Sequence, residues 1–221
     1  MRGERCQRPE AIRRRRWIRA AIVALGLQSL GSLVFGGSPA AATTVVLVRH
    51  AEKGDGENPG LTAEGAARAE ALAEVVAEAG VVAVYATEWC RTALTAEPAA
   101  ARLGLELRIQ DNGRPGDQLA GCGLARPTAR LDAAISTVEA LASHVLAAHP
   151  DGAVLIVGHS DTVPALVAAL GAPPLCPEYF TEDDGGCHIP DQEPRSEYHH
   201  LFVVEVPAAA APRLLKAEYG D

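Results

Sequence analysis

Val46-Leu47-Val48-Arg49-His50 and Val154-Leu155-Ile156-Val157-Gly158-His159-Ser160 are apolar, β-branched runs that each end abruptly in a histidine. Runs without polar alternation read as central strands of a parallel sheet whose two faces are both covered. In open parallel sheets the ligand crevice lies just beyond the carboxyl ends of the strands. Both histidines are expected at that crevice, and Arg49 with the first of them. Imidazoles and a guanidinium gathered there make a compact cationic pocket suited to a phosphoryl group.

Strand and helix patterns alternate on either side of these runs. A first strand is expected over residues 44–50, then a glycine-rich loop to Gly60. Thr62 can cap a helix reaching about Glu78, with Ala66, Ala69, Leu72, Ala73 and Val76 on one face. Residues 81–86 read as a second strand. Residues 91–103 read as a helix that Pro98 should kink or restart. A short strand at 105–109 precedes a loop over 111–128, rich in glycine and proline. Leu131, Ile135, Val138, Ala142 and Val145 recur at helical spacing, and Pro150 ends that pattern. Residues 153–158 deliver His159, and a helix is expected over 163–170. Residues 173–197 form a long polar loop, the kind that covers a site or moves. Strands at 200–206 and 214–219 close the chain at a sheet edge. The alternation indicates an α/β protein, a three-layer α/β/α sandwich with a mostly parallel, Rossmann-like central sheet.

The first 42 residues differ from the rest. Eight arginines against Glu4 and Glu10 lead into an uncharged apolar stretch from Ala20 to Phe35, followed by Gly36-Gly37-Ser38-Pro39-Ala40-Ala41-Ala42. A basic segment, a short apolar segment and an A-x-A-like site describe a cleavable export signal over 1–42, with a domain over 43–221. The alternative is an uncleaved anchor, but the apolar part is shorter than the ~20 residues a span needs. Arg14-Arg15-Arg16-Trp17-Ile18-Arg19 resembles a twin-arginine signal. The expected location is periplasmic or secreted.

Without residues 1–42 the chain keeps 12 of its 20 basic and 26 of its 28 acidic residues, a net charge of −14. Such a surface repels nucleic acid and anionic membranes, so neither is an expected partner. A positive pocket has to be built locally, which makes Arg49 and Arg91 informative. Cys90, Cys122, Cys176 and Cys187 remain; Cys176 and Cys187 could close a short disulfide loop, or all four could be buried thiols. No metal site is expected: there is no C-x-x-C pair, and His199 and His200 would point to opposite faces of a strand.

Four segments carry a family resemblance. Leu47-Val48-Arg49-His50-Ala51-Glu52-Lys53 resembles the opening motif of the histidine phosphatase superfamily, with Ala51 where glycine is usual. Leu61-Thr62-Ala63-Glu64-Gly65 resembles its "L-T-x-x-G" helix start. The segment from Tyr85 to Ala96 resembles the one supplying a second pocket arginine, here Arg91. Val157-Gly158-His159-Ser160-Asp161-Thr162-Val163-Pro164 resembles the one supplying the second histidine. The order and spacing match from about residue 44 to 206.

The residues argue for the same chemistry. A neutral imidazole can attack phosphorus and form a phosphoramidate, splitting one displacement into two easier steps. His50 is the candidate nucleophile. Arg49 and Arg91 can donate paired hydrogen bonds to phosphoryl oxygens, and His159, if protonated, adds a third positive donor. The resemblance implies the same roles, with no metal and no cofactor. Glu88, Asp117 and Asp161 are candidates for the general acid. Lys53 either extends the pocket or lies in solvent. The expected activity is hydrolysis of phosphomonoesters on small molecules through a phosphohistidine. A mutase-type phosphotransferase, a non-catalytic phosphate-binding or interaction module and a phosphohistidine-protein phosphatase are the alternatives. The last of these conflicts with an export signal.

Overall fold

The computed structural model describes residues 41–111, 113–176, 181–183, 186–188 and 198–220. The expected export segment lies almost wholly outside the described residues. Strand β1 (Ala42–Arg49) is buried from Val45 onward, as a run without polar alternation requires. It begins at Ala42, which the sequence had assigned to the leader, and the Ala41 carbonyl accepts from Ala208 N at 2.9 Å.

The remaining elements are α1 (Ala63–Ala77), β2 (Val81–Thr87), α2 (Cys90–Leu103), β3 (Leu107–Gln110), β4 (Thr128–Arg130) and α3 (Val138–Ala148), then β5 (Ala153–Gly158), α4 (Thr162–Ala169), the short strands β6 (Thr181–Asp183) and β7 (Gly186–His188), β8 (His200–Pro207) and β9 (Arg213–Glu218). Seven strands form one sheet in the order β4-β3-β2-β5-β1-β8-β9. Pairing is parallel from β4 to β1 and antiparallel for β8 and β9. Leu72 and Val76 of α1 and Ala93, Ala96 and Ala99 of α2 pack with Val46, Val48 and Leu155 on one face. Leu141 and Val145 of α3 and Leu166 and Val167 of α4 pack with Leu47, Ile156 and Phe202 on the other. Three layers result, as the alternation of strands and helices predicts.

Thr62 caps α1 as expected, its hydroxyl accepting from Gly65 N at 3.1 Å. Gly65 is demanded by packing, because a Cβ there would overlap the carbonyl oxygen of Glu52. The helix start of the "L-T-x-x-G" motif therefore lies directly on the loop that follows His50.

Several local expectations are corrected. Pro98 sits inside α2 without ending it. The buried alanines on both sides of it hold the helix together against the roughly 3 kcal/mol that an internal proline costs. Helix α3 begins at Val138 behind the cap Thr137, not at Leu131. Leu131 and Ile135 mimic helical spacing because both pack on the core from an irregular segment. The loop after β3 contains the three-residue edge strand β4, too short for any periodicity to reveal. The third strand starts at Leu107, and Leu105 packs on the core ahead of it. In the long polar loop, β6 and β7 pair antiparallel; residues 177–180, 184–185 and 189–197 lie outside the described residues. All four described cysteines are bridged, Cys90 to Cys122 and Cys176 to Cys187, so none is a buried thiol. No helix among the described residues is long and apolar enough to cross a membrane.

Candidate active site

Sheet order builds the site. β5 lies between β1 and β2, and Arg49 pairs in register with Gly158. His50 and His159 therefore leave neighbouring parallel strands at the same level, and His50 N donates to the Gly158 carbonyl at 2.9 Å. Their ring centroids are 5.5 Å apart at 67°. Thr87 ends β2 on the far side of β5. β8 runs antiparallel to β1, so its first residues, with Tyr198 just before them, reach the same edge.

His50 is 3% exposed, and its Nδ1 lies 2.8 Å from the Ala51 carbonyl. A carbonyl only accepts, so Nδ1 carries the proton and the lone pair of the neutral ring is on Nε2. Burial, above all, pushes the His50 pKa down to about 2; the bond to Ala51 opposes this, and the charges of His159, Arg49 and Arg91 add to it. The ring is neutral at neutral pH.

His159 is held by a chain of hydroxyls. Thr92 Oγ1 has the carbonyls of Thr87 and Trp89 as acceptors at 2.8 and 2.9 Å, so its proton is spent there. Thr87 Oγ1 donates to Thr92 Oγ1 at 3.0 Å. Thr87 Oγ1 can then only accept from His159 Nε2, 2.7 Å away. His159 thus carries its proton on Nε2, and Nδ1 holds the lone pair. Burial, then Arg91 and Arg49, lowers its pKa to about 4, with Asp161 working in the opposite sense. The sequence allowed His159 as a third cation; in this pocket it is neutral.

Arg49 is buried, and its guanidinium lies 4.6 Å from the Tyr198 ring centroid. Arg91, second residue of α2, stacks at 4.3 Å on Trp89. Its Nε is buried with no hydrogen-bond partner among the described residues. Burial, followed by Arg49, lowers the Arg91 pKa. Two guanidiniums close enough to disfavour one another mark a locus built for an anion.

Contacts behind the pocket explain the motifs. Thr95 Oγ1 accepts from Ala51 N at 2.9 Å and donates to the Arg91 carbonyl at 2.7 Å, coupling the turn after His50 to α2. Glu52 pairs with Arg68 at 2.7 Å, and Arg68 also donates to the carbonyls of Tyr219 and Gly220. Asn58 accepts from Cys90 N and donates to the Gln118 carbonyl, beside the Cys90–Cys122 disulfide.

The acid candidates separate. Glu88, 1% exposed, bonds Arg130 at 2.6 Å, and Asp117 bonds the same guanidinium at 2.9 Å. Both carboxylates are committed to a structural ion pair. Asp161 is exposed, caps α4 through Thr162 N at 2.7 Å, and its charge reaches both His159 and Arg91. Lys53 is exposed and bridges to Leu61, so it lies in solvent. Sequence reasoning missed Thr87, Trp89, Tyr198 and Arg114, the last stacked on Trp89 at 4.5 Å. Trp89 lies two residues before Arg91, a spacing the sequence displayed; Tyr198 and Arg114 are placed by loops that carry no local signal.

Residues 45–114 match the histidine phosphatase superfamily (branch 1). No curated protein shows significant sequence similarity to the chain. Among solved structures, a mycobacterial glucosyl-3-phosphoglycerate phosphatase is 19% identical with a TM-score of 0.50, aligned over 78% of this chain and 97% of that one. Mycobacterial hydrolase 1 is 18% identical with a TM-score of 0.50, over 79% and 97%. The protein histidine phosphatase SixA, bound to tungstate, is 16% identical with a TM-score of 0.46, over 79% and 96%. Residues 45–114 thus carry the motifs of the histidine phosphatase superfamily model, and the chain shares the α/β architecture of the phosphatase structures it aligns with.

Proposed function

We propose that the protein hydrolyses phosphomonoesters through a phosphohistidine formed on His50, without a metal ion. The observation carrying this reading is the tautomer of His50: with Nδ1–H tied to the Ala51 carbonyl, Nε2 offers its lone pair at the arginine-lined end of β1. Arg49 and Arg91 bind the phosphoryl oxygens. Nε2 attacks phosphorus, the P–O bond to the leaving group breaks, and the leaving oxygen takes a proton from solvent water. Water then attacks the phosphoramidate, the P–N bond breaks, and inorganic phosphate leaves with His50 neutral again. The bound phosphoryl group offsets the charge of the arginines beside His159, raising its pKa so that Nδ1–H can donate to the transferring group.

The substrate is a phosphorylated small molecule, and the loop after β3, whose Arg114 stacks on Trp89 beside Arg91, is the part of the described chain best placed to select it. The export reading is supported by the two disulfides, which persist in oxidising compartments. The proposed location is therefore periplasmic or secreted, by way of the segment at 1–42.

The test is release of inorganic phosphate from p-nitrophenyl phosphate in EDTA, with rapid-quench labelling by a phosphorylated substrate. Acid-labile label that disappears in His50→Ala is expected. Label that survives the substitution removes His50 from the nucleophile role. Binding of phosphate without turnover across a broad substrate screen would leave a binding module, and transfer between positions faster than release would make the protein a mutase.

A further inference from the structure

At the β8–β9 edge, His199, His200 and Glu218 place their ligating atoms within 4.8 Å of one another. His200 and Glu218 are register partners across the two strands, so their side chains share a sheet face. His199 lies in the turn before β8, not in the strand. Its ring comes round to the same side, with the two imidazole centroids 4.5 Å apart, which overturns the expectation of opposite faces. His199 Nε2 is 3.5 Å from Glu218 Oε1.

We propose that His199, His200 and Glu218 form a binding site for a borderline transition-metal dication, zinc foremost. Two imidazoles and a carboxylate are the donor set of three-ligand zinc sites, which leave a fourth position for water. Zinc–ligand distances of about 2.0–2.2 Å place tetrahedral donors about 3.4 Å apart. The donor atoms, within 4.8 Å of one another, need to close by no more than about 1.4 Å to reach it. Hard cations such as magnesium and calcium prefer all-oxygen shells and are disfavoured by two nitrogens. One charge opposes the metal: Lys216, two residues before Glu218 on the same face, acts electrostatically on His200. The site is one residue from Tyr198, whose ring lies against Arg49, and His200 starts the strand that pairs with β1.

The proposal does not depend on the phosphatase reading, because binding is measured without turnover. Full-length protein without a histidine tag is stripped with chelator and titrated with zinc by calorimetry and with cobalt by visible absorption. One equivalent is expected, with a tetrahedral cobalt spectrum and a zinc-dependent rise in thermal midpoint. His199→Ala and Glu218→Gln each remove a direct ligand, and affinity should fall by more than the 10–100-fold typical of losing an outer-shell partner. Lys216→Met keeps all three donors and should tighten binding. No binding by the wild type, or unchanged affinity in folded His199→Ala and Glu218→Gln proteins, overturns the proposal.

Discussion

At the scale of single residues, the chemistry turns on which nitrogen of each imidazole holds its proton. His50 presents Nε2 because Ala51 takes Nδ1–H, and it stays neutral because it is buried among positive charge. As the proposed nucleophile, His50, its pKa lowered from 6.5 to about 2, should lose reactivity only far into acid. The acid limb of kcat/KM, corrected for the substrate's own ionisation, should fall well below pH 6.5; a limb at 6.5 contradicts the assignment. His50→Ala should reduce turnover by at least about a thousandfold. Thr87 acts through His159, so Thr87→Val should lower kcat and move the pH profile, with Thr87→Ser restoring both. A purely packing role for Thr87 would give the opposite ranking, since valine fills the space better than serine. His50, His159, Arg49 and Arg91 were legible because each sits inside or just after a strand or helix with a strong local pattern. Thr87 was hidden in plain view as the last residue of β2, its role visible only once β5 lies beside it.

At the scale of elements, the loop after β3 is fastened to the start of α2, and with it Arg91. Arg130 at the end of β4 binds both Glu88 and Asp117, and the Cys90–Cys122 bridge ties the loop to the first residue of the helix. Arg130→Ala strands Glu88 in a buried site. Because Arg130 is itself 47% exposed, the loss should be on the order of 2 kcal/mol, below that of a fully buried pair. Denaturant unfolding checks this, and Glu88→Gln in the same background should recover part of it. Breaking a bridge across 32 residues should cost about 3–4 kcal/mol by loop-closure entropy, as an upper estimate. Cys122→Ser should accordingly lower the midpoint and raise KM by loosening Arg91, while a protein of unchanged stability and KM would deny the loop that positioning role.

At the scale of the whole molecule, acid is the expected weakness. The pKa values of His50, His159 and His200 are held at about 2, 4 and 4, and that of His149 is also lowered. Each is below its unfolded value near 6.5, so the unfolded chain binds more protons as pH falls from there. Stability from these groups is complete above about pH 6.5 and should decline steadily between that value and about 4. Thermal midpoints across pH 8 to 4 test this, and a flat profile would mean that these rings are not buried as neutral groups. His149 belongs to a second polar cluster, with Tyr85 Oη 2.8 Å from its Nε2 and Arg108 donating to the same hydroxyl at 3.0 Å.

The amino-acid sequence alone determined the layers, the central strands and the meeting of His50, His159, Arg49 and Arg91 at one sheet edge, because burial on both faces and capping leave periodic traces within ten or so neighbours. It misjudged the start of α3 and the geometry of His199 and His200, where packing against distant residues outweighs local preference. Only the tertiary structure decided the proton positions on His50 and His159, the pairing of the cysteines, and the capture of Glu88 and Asp117 by Arg130. Those outcomes depend on which strands lie side by side, and strand order is set by the minimum of the whole chain's free energy, not by any segment of it.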